Sequence, residues 1–302
     1  MSDALLDEAP EPRAIKGRSL WEDARRRLMR NPAAVASLYV VAILVLMAAF
    51  GPMLWVHPKD AIFRDSVGIA PTFENLHLLG TDTEGRDLVA RILSGLGISL
   101  LVGVAATAVA LTIGVTYGAV AGFIGGAVDE VMMRIVDVLY AVPFVFFVIV
   151  LMTVIDTPDP MVKLLWIFAA IGAVEWLTMA RIVRGQTIAL RRKEFVEAAR
   201  AAGARPLEIV FRHIVPNVLG PVVVFATLNI PVIILAESFL SFIGLGVQEP
   251  LTSLGRLISN GAGQMINAPW LLIAPAITML ITLLALNFLG DGLRDALDPK
   301  ER

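Results

Sequence analysis

Two carboxylates stand within or at the edge of long apolar runs of this chain. Glu175 lies between Leu164 and Ala180, and Glu237 directly follows the uncharged run from His213 to Ala236. An ionised group in hydrocarbon is costly, and such residues mark ion or substrate paths, proton relays or buried pairs. Glu175 and Glu237 are therefore the candidate pathway or gate residues. Glu237 is eighteen residues past Leu219, about 27 Å along a helix, which places it near a membrane interface and within reach of interfacial water. Glu175, six residues before Arg181, belongs to the opposite half of the bilayer, where it faces either a substrate or a neighbouring subunit.

Other chemistry is poorly represented. The chain has no cysteine, which excludes thiolate nucleophiles, disulfides and iron–sulfur or thiolate metal sites. His57, His77 and His213 are scattered, with no i, i+4 pair and no nearby ligand cluster. None of the five lysines follows a glycine, so the phosphate-cradling Gly-x-x-x-x-Gly-Lys loop is missing. There is no Gly-x-Ser-x-Gly elbow and no His-Glu-x-x-His pair. No catalytic residue, metal site or bound cofactor is expected, and the chain reads as a non-enzyme.

The elements that hold these residues are membrane spans. Of 302 residues 57% are hydrophobic and 17% charged, with a mean hydropathy of +0.76, against roughly 45–50% and 25% in soluble domains. Uncharged runs cover Asn31–Pro58, Ile92–Val128, Val138–Ile155, His213–Ala236 and Leu257–Gly290. About 20 helical residues cross the hydrocarbon, and six spans are predicted: Ala34–Val56, Gly97–Val120, Ile135–Ile155, Leu164–Ala180, Leu219–Leu240 and Pro269–Leu289. The fold class is an all-α polytopic membrane protein. With the N-terminus inside, 19 of the 25 Lys and Arg side chains fall on the inner side, and the positive-inside rule then puts both termini in the cytoplasm. The first 30 residues lack an apolar core and read as a cytosolic tail, not a cleavable signal. A net charge of −2 gives no reason to expect nucleic acid as a partner. The resulting division is a tail at 1–33, a first span at 34–56, an extracytoplasmic segment at 57–96, a transmembrane domain at 97–290 with an inner loop at 181–217, and a tail at 291–302.

Three further patterns stand out. Gly114, Gly118 and Gly122 recur every fourth residue, which lets another helix backbone approach closely. Thr81 followed by Glu84 has the spacing of a capping box and predicts a short helix leading into the second span. In the inner loop, Lys193 to Ala202 has helical periodicity: Phe195, Ala198, Ala199 and Ala202 share one face, and Lys193, Glu197 and Arg200 the other. Gly203 ends this helix and Pro206 prevents it from resuming. A helix of ten residues is marginal alone. Its small apolar face suits docking into a partner's groove or, alternatively, lying on headgroups.

The inner loop carries a resemblance. Glu197-Ala198-Ala199, then Gly203, then Ile214-Val215-Pro216 resembles the Glu-Ala-Ala loop of importer permeases in the ATP-binding-cassette (ABC) superfamily. In that pattern Glu-Ala-Ala is followed by three residues, Gly, nine residues, Ile, any residue, Leu and Pro. Here His213 stands at the isoleucine position and Val215 at the leucine. The segments Gly80 to Asp87, Ala180 to Thr187, Ser238 to Gly246 and Gly290 to Pro299 are similar to the C-type permease subunits of bacterial oligopeptide and dipeptide importers. The resemblance runs from about Arg18 to the C-terminus. It implies the transmembrane fold of type I ABC importers in the bacterial inner membrane, a homologous B-type permease partner, two cytosolic ATPase subunits, an extracytoplasmic peptide-binding protein and a peptide substrate. It also implies that Glu194, Phe195, Glu197, Ala198, Ala199, Gly203 and Pro216 couple to the ATPases through the loop around 194–206, with ATP and Mg used by those partners. Dipeptides, nickel chelates or glutathione are same-family alternatives as cargo. The rival from another class is an ion-coupled secondary transporter working through Glu175 and Glu237, and a membrane enzyme is a third.

Overall fold

The computed structural model describes residues 20–155 and 157–297, and its regular structure is helical. Leu20–Leu28 (α1) and Pro32–Leu54 (α2) are joined at Asn31, whose side chain accepts from the backbone N–H of Ala33 and Ala34 and caps α2, with Pro32 at its first position. Then come Leu88–Ile124 (α3), Gly126–Tyr140 (α4), Phe144–Val154 (α5), Pro160–Leu190 (α6) and Glu194–Ala201 (α7). Pro206–Ile209 (α8), Val215–Phe242 (α9), Leu254–Ala262 (α10) and Trp270–Leu297 (α11) complete the chain.

Five helical stretches are long and apolar enough to cross a membrane by themselves, and the pair α4 and α5 makes a sixth only as a span bent by 80°. The continuous third span expected over Ile135–Ile155 is thus corrected. Pro143 has no N–H to give to Leu139 and disfavours helix at Val142, so the chain breaks at Ala141–Pro143 and restarts at Phe144. The second and fourth helices start before the predicted Gly97 and Leu164 and run past Val120 and Ala180, their starts set by Asp87 and Asp159, which cap α3 and α6. Pro206 does not keep the helix from resuming; it sits at the first position of α8, where a missing N–H costs nothing. Residues 206–242 form one helical stretch through a π turn at Val210–Ile214. Pro216 cannot donate to Arg212, and the ladder closes instead from Val215 N–H to Val210 O.

The principal contact is α3 against α6. Every fourth residue of α3 is a glycine there, and a Cβ on Gly118 would lie 2.3 Å from the carbonyl oxygen of Ala180. A Cβ on Gly114 would lie 2.6 Å from Met179 Cβ, and one on Gly122 2.7 Å from the Arg184 carbonyl oxygen. The small-residue row is a packing seam. One apolar core joins α3, α5, α6 and α9 around Ala106, Val148, Ile171 and Ile233, and a second joins α2, α3, α10 and α11 around Leu44, Leu96, Leu254 and Leu271. α1, in the segment read as a tail, is a helix packed on α11 with Ala24 buried. Residues 1–19 and 298–302 of the two expected tails lie outside the described residues.

Candidate functional site

The bundle has two unlike ends. At one, the loop after α6 folds into α7. Lys193 precedes it in extended conformation without a side-chain cap, and its last turn closes on Gly203 at φ +83°. The Ala204 N–H donates to Ala199 O (3.1 Å) and the Gly203 N–H to Arg200 O (3.0 Å), a left-handed cap that satisfies two end carbonyls. Val196 anchors this helix. It is fully buried in a cluster with Phe123 of α3, Val183 of α6, and Ile209 and Ile214 of the stretch leading into α9, with Ala199 packed beside it. Arg200 crosses the Phe123 ring at 5.2 Å.

The apolar face expected at Phe195, Ala198, Ala199 and Ala202 is therefore only partly inward. The buried position is Val196, one residue along, because so short a helix leaves its rotation to the tertiary contacts. Phe195 is 38% exposed, and Glu194, Glu197, Ala198 and Ala202 are exposed as well. Gly203 has open space where a Cβ would stand, so its backbone conformation is what calls for glycine. Pro216 lies in the first turn of α9 beside the π turn and holds the entry of that helix.

The other end is a cap made of residues 57–91 and 243–253. Asp87, fully buried, starts α3 by accepting the Ala90 N–H (2.9 Å) and also takes Trp55 Nε1 (2.9 Å) and His77 Nδ1 (2.9 Å). This corrects the expected helix start: Thr81 does not cap a helix with Glu84. Thr81 forms a bridge to Asp87, donates to Ser66 O and accepts from Ile69 N–H. Asp82 accepts from the N–H groups of Glu84 and Arg86, both at 2.9 Å.

Two of the histidines that look scattered in the sequence meet here. The His57 and His77 rings stack at 4.5 Å with Phe63 edge-on to both, and His57 Nε2 bonds Asn75 O at 2.7 Å. Ligand atoms of His57, His77 and Asp87 lie within 4.8 Å of one another. His57 Nε2 is engaged by Asn75 O and His77 Nδ1 by Asp87, and the Asp87 oxygens already take three donors. The arrangement locks the loop onto α3.

Beside it, Glu249 accepts from Arg91 Nη2 (2.7 Å) and Arg86 Nη1 (2.9 Å), while Arg86 Nε reaches Asp82 at 2.8 Å. Burial would raise the Glu249 carboxyl, but the bonds and charges of Arg91 and Arg86 outweigh it and hold the group below its ordinary value. Burial would likewise lower Arg86, yet Asp82, Glu249 and Glu84 keep its guanidinium above the ordinary value. Sequence reading missed this network because its partners are up to 163 residues apart.

The two intramembrane carboxylates are not brought together. Glu237 is fully buried, and its Oε1 accepts from Ser241 (2.6 Å) and Ser253 (2.7 Å) where α9 meets α10. The interfacial exposure expected of it is corrected: α10 folds over it. Glu175 is half-buried on α6 and meets Asn229 of α9.

Comparison with known proteins follows this geometry. Residues 114–302 match the family described as binding-protein-dependent transport system inner membrane component, and residues 19–71 match the N-terminal TM domain of oligopeptide transport permease C. The chain belongs to this permease family. It is 53% identical over 297 residues to the oligopeptide transport system permease protein OppC of Escherichia coli (strain K12), covering 98% of this chain and 97% of that one. The protein of the same name from Haemophilus influenzae is 50% identical over 292 residues, covering 97% and 92%. The dipeptide transport system permease protein DppC of Bacillus subtilis is 42% identical over 290 residues, covering 94% and 87%. Among solved structures, an inward-facing MetNI methionine ABC transporter matches with a TM-score of 0.53 at 19% identity, over 68% of this chain and 94% of that one. The fold is that of type I ABC importer permeases, and this permease is a multi-pass membrane protein.

Proposed function

We propose that this chain is a permease subunit of an ATP-driven oligopeptide importer, forming half of the translocation pathway and carrying no catalytic residue of its own. The observation that supports the substrate class is the 53% identity, across nearly the whole of both chains, to a protein named for oligopeptide transport. The dipeptide and glutathione relatives are less similar, at 42% and 36%. In this reading both termini and α7 are cytoplasmic, following the distribution of Lys and Arg, and the cap around Asp87 is extracytoplasmic. The transmembrane domain spans 97–290, and a homologous B-type permease, two ATPase subunits and a peptide-binding protein complete the assembly.

The coupling element is α7. Val196 ties it to α3, α6 and α9, while Phe195, Ala198 and Glu197 face outward, available to a cleft on an ATPase. Movement of the ATPase pair on binding ATP would then reach three spans through one anchor, and each nucleotide state would favour a different pathway conformation. The reading is tested by reconstituting the four membrane and ATPase subunits in liposomes with the binding protein. ATP-dependent uptake of a labelled pentapeptide in competition with dipeptides is the expected result. Uptake driven by an ion gradient without ATP would overturn it.

A further inference from the structure

Two ion pairs join α4 to α6, and they differ in setting. Arg184 Nη2 meets Asp129 at 2.6 Å, and the Asp129 side chain is 12% exposed. Arg181 Nη2 meets Asp137 at 2.8 Å, but these side chains are 44% and 55% exposed. The outward pair continues into more polar groups: the Arg181 guanidinium lies 4.4 Å over the Tyr140 ring, and Tyr140 OH bonds Thr178 Oγ1 at 3.0 Å. Glu175, Thr178 and Arg181 follow at intervals of three along α6, so they share one face, with Asn229 meeting Glu175 from α9.

This stripe covers six residues, about 9 Å of helix. Arg181 stands twenty-one residues after Pro160, about 31 Å along the axis, so the stripe descends through the lower half of the span to its end. Glu175, about 9 Å inside that end, is a carboxylate at membrane depth, where a charge is unfavourable against lipid and is found on bundle interiors or facing water-filled cavities, and the Asp137–Arg181 pair continues its polar surface to the membrane edge. Its chemistry is also matched. It offers a cation, two carboxylates and two hydroxyls, and the Asp137–Arg181 pair can exchange each member for an opposite charge without change in net charge.

We propose that Asp137, Tyr140, Glu175, Thr178 and Arg181 form the polar wall of the translocation pathway in its cytoplasmic half, and that it takes peptides by their common parts. Arg181 receives the C-terminal carboxylate, Asp137 or Glu175 the terminal ammonium, and the Thr178 and Tyr140 hydroxyls the backbone amides. Such a wall is indifferent to side chains. The inference rests on the importer reading and deepens it.

The chain has no cysteine, so Thr178→Cys places a single thiol on the stripe. In the assembled importer, in inverted vesicles, this thiol is expected to react with a membrane-impermeant maleimide, about tenfold more slowly when the ATPases are trapped with ATP. Arg181→Gln is expected to lower uptake of a free-carboxylate peptide about tenfold relative to uptake of its C-amidated form. A thiol unreactive in every nucleotide state, or reactive to the same extent in all of them, would overturn the proposal, as would equal loss of uptake for both peptides. A wild-type assembly that lacks binding-protein-stimulated hydrolysis would instead sink the importer reading, and the pathway wall with it.

Discussion

The two ends of this permease treat their polar and aromatic residues in opposite ways. At the cap the buried polar and aromatic groups beside α3 are used internally: Asp87 takes three donors, Glu249 takes two arginines, and His57 stacks on His77. At the opposite end, α7 spends one valine on its own bundle and leaves Phe195, Glu194, Glu197 and Ala198 exposed. The polar network of the cap is completed within this chain, whereas the outer face of α7 is left uncovered by it. Changes in the cap should therefore cost stability and spare coupling per folded molecule, whereas changes on the outer face of α7 should do the reverse.

The largest loss of stability is expected from Asp87→Ala, which removes the α3 cap and leaves the half-buried Trp55 and the buried His77 ring nitrogens without their partner. A cap, one buried and one partly buried hydrogen bond amount to about 3–5 kcal/mol, read as a fall in melting temperature of the detergent-purified protein. Glu249→Gln comes next. It removes the charge facing Arg91, which is 1% exposed. The expected cost is about 2–3 kcal/mol, reduced from that of a wholly buried pair because Glu249 is partly solvated. The pH response gives an independent check. A carboxyl held below its ordinary value in the folded state stabilises the fold above the unfolded pKa, and this is lost as pH falls through the folded one. Wild type should lose stability below about pH 4, and Glu249→Gln should lose less over the same interval.

Gly203→Ala is the intermediate case. No atom obstructs the new Cβ, so the cost is the left-handed backbone alone, about 1 kcal/mol, visible as a small melting shift accompanied by a larger drop in coupled uptake. The smallest stability effect belongs to Phe195→Ala, within about 0.5 kcal/mol as for other surface positions. A Phe195→Ala protein that melts several degrees lower would mean that the face of α7 is structural, and the contrast between the ends would fail.

Much of this arrangement is legible in local sequence. Uncharged runs locate the spans, Gly203 marks the end of α7, and the glycine row on α3 announces a close helix contact. Pro143 was also a readable signal for the break between α4 and α5, hidden by the apolar run that surrounds it. What is not legible depends on contacts distant in sequence. Nothing near Glu249 indicates that Arg91, 158 residues away, will pair with it. Nothing in the run before Glu237 indicates that Ser253 and α10 will cover it. For α7, eight residues are too few for periodicity to fix a rotation, and Val196 rather than Phe195 proved to be the anchor.

The central claim is that the exposed face of α7 engages the ATPase subunits while the polar network of the cap serves the fold of this chain. It is tested most directly by co-purifying tagged permease with its co-expressed ATPases in detergent, comparing wild type with Glu197→Lys and Glu249→Gln. The account predicts that wild type and Glu249→Gln retain the ATPases and that Glu197→Lys loses them while keeping its wild-type melting temperature. ATPase retained in full by Glu197→Lys, together with normal ATP-driven uptake, would contradict it.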